Sequence, residues 1–155
     1  MTGKIEARLA ELGLTLPAAP NPVANYVPYA QVGNLLFISG QISKAGDGTL
    51  VAGTLGDDIT VEAGQAAARL CALSILAQAK AALGDLDRIA QVVRLTGFVA
   101  STGGFTDHPK VVNGASDLMV EVLGDAGKHT RAAVGVASLP LGSAVEVDAI
   151  LAIAG

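Results

Sequence analysis

The chain of 155 residues has no tryptophan, and aromatic residues make up only 3% of it. Few side chains are therefore left to stack on nucleic-acid bases. Its single cysteine, Cys71, excludes an intrachain disulfide and a thiolate metal cage. Charged residues are scarce at 15%, against about a quarter in an average domain. The balance is acidic, with a net charge of -4 and a pI near 5.0, which argues against nucleic acid as a partner, because phosphate binding needs clustered Lys and Arg. No charge-free apolar run approaches the roughly 18 residues of a membrane span. The opening residues Met1 to Arg8 carry charges and no apolar run, unlike a secretory signal, so the cytoplasm is the expected location. There is no H-E-x-x-H or paired-cysteine ligand motif, no G-x-S-x-G serine elbow, and no G-x-G-x-x-G or Walker loop.

The sequence does hold a large apolar content, 51% of its residues. At this length it forms one domain with a sizeable core, and a subunit interface is the simple destination for apolar residues beyond that core. Ile5 to Leu12 has helical spacing, and the proline-bearing segment Leu14 to Pro22 is extended. Tyr26 to Val32 and Leu35 to Ser39 read as a hairpin around Gly33-Asn34, followed by a glycine-rich loop over residues 43–58. Thr60 is placed to cap a long helix ending at Gly84, with Ala66, Leu70, Leu73 and Ala77 as its apolar stripe. Cys71 inside that helix reads as a buried, inert thiol. Ile89 to Val99 is a strand, with Val93 beside Leu95 on one face and Val92 on the other. A second helix starts at Pro109 and ends at Gly124, burying Val111, Val112, Ala115, Leu118 and Val122. The order β-β-α-β-α-β-β predicts an α+β fold with helices on one face of a sheet.

The chemistry concentrates between Thr130 and Ala149. In a strand there, Arg131, Ala133, Gly135 and Ala137 share one face, while Ala132, Val134 and Val136 form a core face. A cation above residues with almost no side chain suits a small anion, since guanidinium grips a carboxylate through two parallel hydrogen bonds. The same pattern also fits a surface arginine on an edge strand, and residue spacing alone leaves both readings open. Further on, Glu146 and Asp148 face away from Val145, Val147 and Ala149. His129 reads as part of an exposed turn and His108 as a helix-start residue. What remains for catalysis is arginine, glutamate, tyrosine, backbone amides and water, a set suited to a substrate that is already reactive.

Arg131-x-x-Val134-x-Val136-x-x-Leu139-Pro140 followed by Val145-Glu146-Val147-Asp148-Ala149 resembles the C-terminal signature of the RidA family, also called YjgF or endoribonuclease L-PSP. Asn25-Tyr26, Ser39-Gly40-Gln41 and Val112-Asn113-Gly114 match the family's pattern in order. The resemblance implies a chorismate-mutase-like mixed sheet with two main helices on one face, spanning residues 22–155 behind an N-terminal extension of residues 1–21. It also implies a homotrimer with clefts between subunits, and cofactor-independent, metal-free hydrolysis of 2-imino or 2-enamino acids to 2-keto acids and ammonia. By motif, Arg131 would bind the substrate carboxylate and Glu146 would hold or polarise the attacking water. Gly40 would offer backbone contacts, and Tyr26 and Asn113 would line the cleft. Two departures stand out: Ala133 occupies a place where the best-known members carry cysteine, and the N-terminal helix is additional. A non-catalytic trimeric module binding small carboxylates or keto acids is the first alternative. The ribonuclease or translation-inhibitor role of the older family name fits the acidic composition least.

Overall fold

A computed structural model describes residues 3–22 and 24–155; Met1 and Thr2, part of the charged N-terminal run, and Val23, at the start of the expected 22–155 unit, lie outside them. Helix α1 (Lys4–Glu11) precedes a hairpin of β1 (Tyr29–Val32) and β2 (Leu35–Ile42). Then come α2 (Val61–Leu83), β3 (Ile89–Ala100), α3 (His108–Leu123), β4 (Thr130–Val136) and β5 (Val145–Ile153). The five strands form one mixed sheet in the order β1-β2-β5-β3-β4, with β3 and β4 parallel and the other neighbours antiparallel. The expected α+β architecture is therefore the observed one. The first strand begins at Tyr29 rather than Tyr26: the Val27 and Pro28 carbonyls still accept from Ser39 at 2.8 and 2.9 Å, but the regular ladder starts at Tyr29, and Tyr26 lies in a bend.

Both main helices cover one face of the sheet, α2 over β2 and β5 and α3 over β3 and β4. Thr60 caps α2 as its sequence predicts, its side chain accepting from the Ala63 N–H at 3.1 Å. By length and composition α2 is apolar enough to cross a membrane, but 61% of its apolar window is buried inside the fold. Its buried face differs from the predicted stripe. Ala67, Ala68, Cys71, Ala72, Ile75, Leu76 and Ala79 are buried in the core; of the predicted stripe Ala77 is buried as expected, while Ala66 is exposed and Leu70 and Leu73 are half-buried. So many alanines make the helix nearly apolar all round, and its periodicity then loses phase information. Cys71 is fully buried, as expected; burial, with the Glu146 charge adding to it, pushes its thiol pKa far up.

Strand β5 runs through the centre, and Val145, Val147, Ala149, Leu151 and Ile153 alternate into the core. On β3 a register shift between Val92 and Arg94 turns Val92 inward beside Leu95 and leaves Val93 half-buried, so the simple alternation expected there fails. The N-terminal helix packs onto the same core. Asp87 accepts from the Lys4 and Ile5 N–H groups, each at 2.9 Å, and so caps α1 from a distant turn. Leu9 is buried, and Glu6 pairs with Lys80 of α2.

Close approach of α2 and α3 depends on Gly114, where a methyl group would collide with the Gln65 backbone carbonyl. That carbonyl belongs to a helix and cannot swing aside. Gly114→Ala should lower the unfolding free energy by about 1–3 kcal/mol through overpacking, read from urea denaturation. Unchanged stability would mean that the helices are not held in this contact.

Candidate functional site

Strand β4 is at the sheet edge, and its faces are the reverse of one sequence expectation. Ala132, Val134 and Val136 do not form core; they lie on the face that the helices leave open, and Val134 is 43% exposed. The face holding Arg131, Ala133 and Gly135 looks toward α3, and Ala133 packs on the core. Strict alternation correctly grouped these residues, but apolarity chose the wrong group as core, because an edge strand can leave valines on an uncovered face.

Arg131 is half-buried, and its Nη1 donates to Asn113 Oδ1 at 2.8 Å and to Ser116 Oγ at 3.2 Å. Among the described residues no carboxylate pairs with it. Asn113 and Ser116 are one helical turn apart on α3, so both reach the same guanidinium nitrogen. Their oxygens occupy the Nη1 hydrogens and leave the Nε–Nη2 edge for a planar anion. Ser116 was not singled out in the sequence; its i+3 spacing from Asn113 was the available signal.

Tyr26, Gly40 and Glu146 come together elsewhere, in a cavity of about 390 Å³ between the N-terminal extended segment and the adjacent strands β2 and β5. Pro20 and Leu141 wall it, and Gln78 of α2, almost wholly buried, fixes the segment by donating to the Pro20 carbonyl at 2.7 Å. A methyl group at Gly40 would stand 2.7 Å from Glu146 Oε2, so glycine there makes room for the carboxylate. Leu141, at positive φ and 79% exposed, projects from the turn before β5. The contribution of Gln78 and the prolines was invisible in sequence, since it depends on how the extended segment lies across α2.

The predicted residues thus form two groups. Register places Glu146 opposite Phe98, and Phe98 opposite Val134, all on the open face. Arg131 is three residues before Val134 and therefore on the helix face. Two strand spacings and three residues of rise separate Arg131 from Glu146, about 10 Å in each direction. Within one subunit they do not share a site.

Both histidines are more engaged than expected. His129 is not an exposed turn residue; its ring contacts Ser116 Oγ at 2.8 Å and the Gly127 carbonyl at 2.6 Å. His108, the first residue of α3, meets Ser101 Oγ at 3.2 Å and packs edge-on against Phe105. Glu146 has its carboxyl pKa raised, by burial first and by the Asp148 charge second. Burial also raises Asp148, against the opposing pull of Thr96 and Arg94.

The sequence profile of the YjgF/chorismate mutase-like family, whose description also carries an endoribonuclease label, matches residues 6–152. Protein TCP17 of Trypanosoma cruzi is 52% identical over 151 residues, covering 97% of this chain and 94% of that protein. The 2-iminobutanoate/2-iminopropanoate deaminase of Dermatophagoides farinae is 30% identical over 141 residues, covering 90% of this chain and 94% of its own. Among solved structures, the protein Atu1372 of Agrobacterium tumefaciens, of unknown function, superposes with a TM-score of 0.91 at 53% identity, covering 97% of this chain and 93% of that one.

The raised Glu146 pKa has a consequence for stability. The folded chain holds the Glu146 proton more tightly than the unfolded chain does. This group's contribution therefore falls as pH rises from its ordinary value of 4.5 through the raised one. Glu146→Gln should accordingly be more stable than the parent at pH 7 and lose part of that decline, measured by urea denaturation at both ends of the range. A variant less stable at pH 7 would show that the carboxylate has a stabilising partner.

Proposed function

The chain belongs to the YjgF/chorismate mutase-like family, the RidA family of the sequence resemblance, and from that membership we propose that it hydrolyses 2-imino or 2-enamino acids to 2-keto acids and ammonia. The observation that carries this reading is Arg131: a half-buried guanidinium, oriented by Asn113 and Ser116, with no protein carboxylate of its own among the described residues. The deaminase of Dermatophagoides farinae, 30% identical, supports the reaction class.

In this mechanism the Nε–Nη2 edge of Arg131 takes the substrate carboxylate, fixing the neighbouring C=N carbon. Water held at Glu146 attacks that carbon while the carboxylate accepts its proton. That proton passes to the nitrogen to give a carbinolamine; the carbinolamine hydroxyl then gives up its proton, through the same carboxylate, to the nitrogen as the C=O forms and the C–N bond breaks, and ammonia and the 2-keto acid leave. Partial burial and the Asp148 charge raise the proton affinity of Glu146 above that of a free carboxylate, which favours its taking a proton from water. Gly40 leaves space for this carboxylate, and Tyr26 lines the same cavity. The cycle needs no metal or organic cofactor.

Since Arg131 and Glu146 are separated within one chain, the proposed site forms between copies: Arg131 and Asn113 of one subunit facing Tyr26, Gly40 and Glu146 of another, in a cytoplasmic homotrimer. The open sheet face offers Phe37 and Val134 for such an interface. Size exclusion with light scattering should give about three times the 15.4 kDa subunit mass; a monomer at micromolar concentration would remove the composite site.

Arg131→Ala should lower the rate constant by about 30-fold or more, the effect of losing a charge-assisted bidentate contact, with assembly retained. Arg131→Lys should recover part of it, and the methyl ester of the imino acid should be a poor substrate. Activity should survive exhaustive chelation. Wild-type turnover of the free acid by Arg131→Ala would refute the mechanism. Binding of 2-keto acids without turnover in the parent would leave the chain a carboxylate-binding module.

A further inference from the structure

We infer that His129 and Ser116 are positioning residues that fix the Arg131 guanidinium through a directed hydrogen-bond relay. This rests on the proposed role of Arg131 as the group that binds the substrate carboxylate.

The direction of the relay follows from what each end can do. Arginine only donates, so Ser116 Oγ accepts from Arg131 Nη1 at 3.2 Å. The Ser116 O–H is then free to donate to His129 Nε2, 2.8 Å away. A carbonyl only accepts, so His129 Nδ1 carries the proton that reaches the Gly127 oxygen at 2.6 Å. Every bond therefore points the same way, from Arg131 to Gly127, and the ring's tautomer is fixed by its partners.

The far end of the relay is rigid. Gly127 is buried in the turn after α3, where a methyl group would collide with the Met119 carbonyl. The carbonyl that anchors His129 is thus pressed against the same helix that carries Ser116. At the near end, Asn113 Oδ1 accepts from the same Nη1 at 2.8 Å. Two acceptors on one nitrogen stop the guanidinium from rotating about its stem, which a single acceptor would permit. His129 lies two residues before Arg131, so its ring is delivered to the helix side of β4 along with the guanidinium.

The relay matters because a forked contact is worth most when the fork is already aimed. Losing His129 frees the Ser116 hydroxyl to turn elsewhere, and Arg131 keeps its charge but samples more orientations. The effect should appear mainly in ground-state capture of the carboxylate.

The test measures 2-keto acid formation from an imino acid generated in situ, together with calorimetric binding of pyruvate as a carboxylate probe. Ser116→Ala should raise KM and the pyruvate Kd by about tenfold, the scale of a hydrogen bond to a charged group, and His129→Ala, which removes a neutral bond of the relay, by about threefold to tenfold, each with a smaller change in kcat. His129→Gln presents an amide oxygen to the Ser116 hydroxyl and should return both constants to within about threefold of the parent. In an Arg131→Ala background, His129→Ala should have no further effect. If His129→Ala fails to fold, His129→Gln and Ser116→Ala still decide the matter. Wild-type constants for both alanine variants, with Arg131→Ala inactive, would overturn the relay and leave the Arg131 reading intact. A defect that glutamine does not rescue and that persists without Arg131 would make His129 a structural residue only. Wild-type turnover by Arg131→Ala would instead overturn the reading on which the relay rests.

Discussion

Close contact between α3 and its surroundings is the constraint on which the candidate site depends. At Gly114 the helix touches the backbone of α2, and at Gly127 the turn that follows it touches the helix's own Met119 carbonyl. At Gly97 the sheet leaves room for Val112. The contacts at Gly114 and Gly127 are backbone against backbone and have little freedom to relax, because no side-chain rotamer can absorb a shift. Asn113, adjacent to Gly114, and Ser116 therefore stand at fixed height above β4. A guanidinium held between them inherits the precision of the packing. The polar geometry of the site is in this sense a by-product of how tightly two helices and a sheet close on one another.

Much of the architecture was legible because several signals agreed. Thr60 and Gly84 bracket α2, and β5 alternates without interruption because it is central and covered on one face only. The stripe of α3 was read correctly since its polar positions, Lys110, Asn113, Asp117 and Glu121, contrast with its valines and leucines. Failures came where contrast was missing or where topology decides. Alanine on every side of α2 erased its phase. The irregular pairing at Val92 inverted part of β3. Apolarity marks the valines of β4 as core, but whether a face is covered depends on strand order, which a local pattern does not encode.

The site was legible in type and not in assembly. Arg131, Asn113, Glu146, Gly40 and Tyr26 came from motif order, and the structure brings them together as two groups rather than one. Face parity alone nearly revealed the rest. Extending the Arg131 face two residues back reaches His129, and one helical turn beyond Asn113 reaches Ser116. The missing information was whether these parities converge, which requires knowing that α3 lies above β4.

Separating Arg131 from Glu146 has a physical rationale. A cation and a carboxylate adjacent in one folded subunit would pair, and the pair would satisfy both groups at the expense of any ligand. Opposite faces of the sheet and two intervening strand spacings prevent that here. Arg131 is instead held by neutral oxygens, which orient it without cancelling its charge. Glu146 faces Asp148 on its own strand, a like charge that raises its proton affinity instead of neutralising it. Each half is thereby left electrostatically incomplete: one retains an unbalanced positive charge, the other holds a proton readily. A substrate carrying a carboxylate beside an electrophilic carbon would complement both halves at once. On the proposed composite cleft, the edge of Arg131 offered to the substrate carboxylate is the Nε–Nη2 edge, because Asn113 and Ser116 occupy Nη1.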